Sequence, residues 1–138
     1  MIAYSEWRGN GFHEGRSESG HTIDFDAGAA HASGPGPMEA VLMGLCGCTS
    51  VDVVGILEKK RQRLTGLKVT ARASQAEKPP RVFTHIKLTF TVSGTLDRKA
   101  VEDAVALSTE KYCPIARMLS QAAAIDYEIV YSNNETGL

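Results

Sequence analysis

The stretch Pro37-Met-Glu-Ala-Val-Leu-Met-Gly-Leu-Cys46-Gly-Cys48-Thr-Ser-Val-Asp-Val-Val-Gly-Ile-Leu57, followed by Glu58-Lys-Lys-Arg-Gln-Arg63, decides the fold. Between Met38 and Leu57 only Glu39 and Asp52 carry charge, and apolar residues fall on every side of a helical wheel. That pattern predicts a core helix buried all round. Pro37 suits its first position, where the missing N–H would have had no partner. The basic run Lys59, Lys60, Arg61 and Arg63 suits the negative end of the helix dipole, and Gly66 is the expected stop.

Upstream of this helix, Gly9-Asn10-Gly11 and Ser19-Gly20 are turn pairs that separate Ile2–Arg8, Phe12–Ser17 and Thr22–Phe25. These segments predict a small antiparallel meander, with Trp7 and Phe12 covering one face. Residues 26–36 are small and without period, hence a connecting loop or lid in which His31 is read as solvated. Downstream, Leu67–Ala73 and Val82–Val92 alternate as half-buried strands, with Val82, Ile86, Leu88, Phe90 and Val92 inward and His85 and Lys87 on the polar face.

Ser93-Gly94 is the expected end of the second of these strands, and Asp97 reads as the N-cap of an amphipathic helix carrying Ala100, Val101, Ala104, Val105 and Ser108. A residue before proline is pushed out of the helical region, so the helix breaks at Cys113 and a short one starts with Pro114. Cys113 then caps that helix, a position expected to lower its thiol pKa. Ile125–Tyr131 is a last strand, and 132–138 is expected to be a flexible polar tail. Strands and helices are segregated, which predicts an α+β fold with a mostly antiparallel sheet around the long buried central helix.

The chain of 138 residues with net charge -1 predicts one domain spanning 1–138, with no nucleic-acid or membrane-surface partner. The apolar helix approaches the roughly 20 residues needed to cross a bilayer, but Glu39 and Asp52 inside it favour burial in protein. The N-terminus has no basic n-region or apolar h-region, and three cysteines is an odd count for a secreted disulfide framework. A cytoplasmic location is therefore expected.

Cys46 and Cys48 lie two residues apart, about 200° on a helical wheel, so they point to opposite sides and can neither pair nor chelate together. Histidines 13, 21, 31 and 85 show no ligand spacing to either cysteine, and no metal or cofactor is expected. An inert buried thiol is the ordinary fate of such a residue, and it suits Cys46. Cys48, between Gly47 and Thr49 where the helix surface is open, and Cys113, at a cap, are the candidates for chemistry.

Three segments, Pro37–Leu57 with its central Gly-Cys48, Arg81-Val-Phe-Thr-His85-Ile86, and Ser108-Thr-Glu-Lys-Tyr-Cys113-Pro114, resemble the OsmC/Ohr family and, within it, the YhfA-like branch. The resemblance runs from about Trp7 to Tyr131. It implies an OsmC-like fold, an intertwined homodimer with sites at the subunit interface, and a thiol peroxidase that reduces organic hydroperoxides with a dithiol reductant of lipoyl or thioredoxin type. On the family pattern Cys48 is peroxidatic and Cys113 resolving. An N-terminal arginine, Arg8 or Arg16, activates the thiolate and is oriented by a glutamate at the start of the core helix. In typical members that glutamate follows the proline directly. Here Met38 stands in its place and the acid is Glu39, seven residues before Cys46 and so on its face. The alternative implied is a protein of the same fold, stress-associated or binding a small molecule, with little or no turnover. The residues themselves also ask for a second copy, because one such chain has too little material to cover every side of so apolar a helix.

Overall fold

A computed structural model describes residues 1–132; the tail expected at 132–138 lies outside them except for Ser132, whose N–H bonds to Val92 O at 2.8 Å. The chain separates into two compact units, Met1–Leu42 and Met43 onward.

In the first unit, β1 (Ala3–Gly9), β2 (Phe12–Ser17) and β3 (Thr22–Asp26) form an antiparallel sheet in sequence order, as the turn pairs predict. Asn10 and its flanking glycines all take positive φ, the twist that a tight hairpin requires. Trp7 pairs with His13 and Gly9 with Phe12, so Trp7 and Phe12 do not share a face, and Trp7 is 71% exposed. The loop at 26–36 is clipped in place. Asp26 accepts the N–H groups of Gly28 (2.8 Å) and Ser33 (3.0 Å), which hold its carboxyl below the usual carboxylate range. His31 is exposed, as expected of a loop histidine, and its Nδ1 also lies 2.8 Å from Asp26 O, which helps to clip the loop.

The long helix α1 (Pro37–Lys59) begins at Pro37 as the sequence predicts. Glu39 reaches back to accept the Gly36 N–H at 2.9 Å, one half of a capping box. Gly66 is not the stop. Arg61 adopts the left-handed conformation (φ 57°), Gln62 N–H bonds to Leu57 O and Arg61 N–H to Glu58 O. These are the two hydrogen bonds of a Schellman ending, built here on an arginine where glycine is usual. Within the single chain α1 is not buried all round: Leu45, Thr49, Val53 and Leu57 form one buried stripe at i, i+4 spacing, while Met43 (59%) and Val51 (73%) are exposed.

In the second unit β4 (Arg63–Gln75) and β5 (Phe83–Thr95) pair antiparallel, and β6 (Ala124–Tyr131) joins β5 in parallel. Among the described residues three of the four strand pairings are thus antiparallel, and the strands divide into two three-stranded sheets. The parallel edge follows from connectivity, because β6 returns to β5 through helices. Gly94 does not end β5 but lies within it at φ +130°, where a Cβ would strike the backbone of Arg63. A register shift at Ser74/Gln75 turns Phe83 inward and leaves Val82 exposed, while Ile86, Leu88, Phe90 and Val92 form the buried face as expected.

Asp97 caps α2 (Arg98–Leu107), its carboxylate accepting the Ala100 N–H at 3.3 Å. The helix continues into a π-helical turn, Ser108–Tyr112, closed by Cys113 N–H to Ser108 O at 2.9 Å. The break falls at Cys113, and α3 (Pro114–Leu119) follows.

Candidate active site

The site is built where the middle of α1 meets the π turn. Cys48 and Asp52 are four residues apart on α1 and therefore share one face. Cys113 arrives from the chain break, and the Sγ atoms of Cys48 and Cys113 and a carboxylate oxygen of Asp52 all lie within 4.8 Å of one another. Ser108, fully buried, donates to Asp52 Oδ2 at 3.0 Å and lies 3.3 Å from Thr49 O. π-Helical turns occur often at functional sites because the extra residue re-aims side chains; this one lies between Ser108, whose hydroxyl reaches α1, and Cys113.

The expectation of a lowered pKa at Cys113 is overturned. The cap contact exists, Ala116 N–H donating to Sγ at 3.3 Å. Burial outweighs it, and with the neighbouring Cys48 thiol it pushes Cys113 up to about 11. A thiol with no solvent exposure loses more from desolvation of its anion than one backbone donor restores.

Cys46 points the other way, its thiol beside the backbone of Ala71 on β4, where burial raises its pKa. The opposition of the two neighbouring cysteines is therefore as their spacing predicts.

The remaining candidates lie in the first unit. Arg8 donates to Glu14 Oε1 at 2.9 Å and sits 3.1 Å from Glu6, while Arg16 lies 3.9 Å from the same Glu14 oxygen. Glu39 is engaged with the Gly36 N–H, and its carboxylate is 4.0 Å from His31 Nε2. Among residues 1–42 it pairs with neither arginine.

Two site residues, Asp52 and Ser108, escape a reading of the sequence for function. The available signals were an acid four residues after Cys48 in an otherwise apolar run, and a serine on the apolar face of α2.

With this α+β fold and cysteine pair in place, the chain belongs to the OsmC-like family, whose model, described as OsmC-like protein, matches residues 30–128. It is similar to protein YhfA of Escherichia coli strain K12, with 47% identity over 119 residues, covering 84% of this chain and 88% of that protein. An OsmC-like protein from Mycoplasma pneumoniae superposes with a TM-score of 0.84 at 17% identity, covering 96% of each chain. An organic hydroperoxide resistance protein OsmC from Legionella pneumophila gives 0.73 at 16% identity over 94% of this chain and 95% of that one. At these identities the likeness to the two solved structures is one of fold.

Proposed function

We propose that the protein is a cytoplasmic, homodimeric thiol peroxidase that reduces organic hydroperoxides. The observation that carries this reading is the juxtaposition of Cys48 with Cys113 across two elements. In the reaction the Cys48 thiolate attacks one oxygen of the hydroperoxide and the O–O bond breaks. Cys48 becomes a sulfenic acid, and the alkoxide leaves and is protonated to the alcohol. The Cys113 sulfur then attacks the Cys48 sulfur, water departs with the thiol proton, and the disulfide is reduced by two electrons from an external dithiol of lipoyl or thioredoxin type. Cys113 at about 11 suits a resolving thiol better than a first nucleophile, which supports the peroxidatic role for the half-buried Cys48. In this reading the activating cation is Arg8 or Arg16, with Glu39 as its orienting partner, at an interface between two copies. The fold neighbour described as an organic hydroperoxide resistance protein is consistent with this chemistry.

The second reading, a stress-associated or small-molecule-binding protein with little turnover, is favoured by Glu39, whose carboxylate is occupied at the helix cap. Hydroperoxide consumption with a dithiol reductant decides between them. The peroxidase reading expects turnover by the wild type and by Cys46→Ser, and none by Cys48→Ser; no turnover by the wild type leaves the binding reading.

A further inference from the structure

The cluster at Cys48, Asp52 and Cys113 has a donor set that disulfide chemistry does not use in full. Its two sulfurs and one carboxylate oxygen converge from a helix and a chain break. The Ser108 hydroxyl, itself fully buried, fixes the carboxylate through Oδ2. Such a hydrogen-bonded second partner is characteristic of carboxylates that ligate metals. Among the described residues 43–132 the polar contact made by the Asp52 carboxylate is the Ser108 hydroxyl on Oδ2, which leaves its other oxygen toward the two sulfurs. We propose that the reduced protein binds one zinc-class cation here, through Cys48 Sγ, Cys113 Sγ and an Asp52 oxygen, with a fourth position left open.

The distances suit this occupant. Zinc takes thiolate sulfur at about 2.3 Å and carboxylate oxygen at about 2.0–2.2 Å, which places tetrahedral donors roughly 3.5–3.8 Å apart. Donors already within 4.8 Å of one another need only a small inward shift. Thiolate with carboxylate is a borderline-soft set that selects zinc over calcium or magnesium. Sequence spacing hides the site because its ligands form no short motif: they are Cys48, its i+4 neighbour and a residue 65 positions on from Cys48. Binding replaces two thiol protons by the cation, which leaves as the products a metal dithiolate and two protons. The metal dithiolate and the Cys48 to Cys113 disulfide use the same two sulfurs, so a bound cation and the bridged form exclude each other.

The test uses the reduced full chain under anaerobic conditions, with zinc titrated in competition with a chromophoric chelator, and cobalt(II) in parallel for its sulfur-to-metal absorption. One ion per chain is expected for the wild type and for Cys46→Ser, with binding lost in Cys48→Ser and in Cys113→Ser. Asp52→Asn keeps the shape of the side chain and is expected to weaken binding at least roughly tenfold, the lower end of what even second-shell changes cost. Bound zinc should protect Cys48 and Cys113, but not Cys46, from alkylation. Wild type that fails to compete with the chelator, or Cys48→Ser and Asp52→Asn that bind as well as wild type, would overturn the proposal. No peroxide is present, so a wild type that binds zinc but consumes no hydroperoxide separates failure of the peroxidase reading from failure of this one.

Discussion

Cys113 shows how two rules applied to one residue can oppose each other. The cap rule favours the thiolate and is legible in the dipeptide Cys113-Pro114; burial favours the thiol and depends on residues far along the chain. Burial wins by a margin that places the group near 11 against an ordinary 9.0. Alkylation of Cys113 in a Cys46→Ser, Cys48→Ser background, where Cys48's contribution is removed, should therefore titrate clearly above an ordinary thiol. A midpoint at or below the ordinary value would contradict the account. The same shift has a consequence for folding. The folded state holds the proton more tightly than the unfolded chain, so the contribution to stability is complete below about 9 and is lost as pH rises through about 11. Denaturant midpoints measured across that interval should fall more for the wild type than for Cys113→Ser.

At the scale of elements, the signals that could be read were local ones. Pro37, Asp97 and Cys113-Pro114 mark helix boundaries because the physics of a cap is contained within a few residues. The end of α1 was not legible, since its left-handed residue is Arg61 and the nearest glycine, Gly66, belongs to β4. Nor was the π turn, whose benefit lies in the Ser108 to Asp52 hydrogen bond across 56 residues. The parallel partner of β5 was equally silent, because alternation in Ile125–Tyr131 gives a strand but no direction. On α1 itself the pattern promised burial everywhere, and the single chain delivers one stripe. Leu57, fully buried on that stripe, should cost about 2–5 kcal/mol when truncated to alanine, read from denaturant unfolding with unchanged m-value. A loss below about 1 kcal/mol would place Leu57 outside the core.

For the whole molecule, the apolar sides of α1 left exposed by one chain are the strongest reason for a second. Val51 at 73% and Met43 at 59% exposure are an aggregation hazard unless covered. We infer a stable homodimer that buries them. Sedimentation equilibrium should give twice the chain mass of 14.8 kDa at micromolar concentration, and Val51→Glu should shift the population to monomer or to unfolded chain. A folded wild-type monomer under those conditions would contradict the inference. Family membership, and with it the pairing of Cys48 with Cys113, was legible from the motifs around them, whereas Asp52 and Ser108 beside those cysteines required the fold.

The central claim, that Cys48 and Cys113 form one redox pair, is tested most directly by mapping the bridge. Reduced protein receives one equivalent of cumene hydroperoxide, and its peptides are identified by mass without reduction. The account predicts a Cys48 to Cys113 disulfide in the wild type and in Cys46→Ser, and a sulfenic acid at Cys48 in Cys113→Ser. A bridge between Cys46 and Cys113, or an unbridged protein with the hydroperoxide unconsumed, would contradict it.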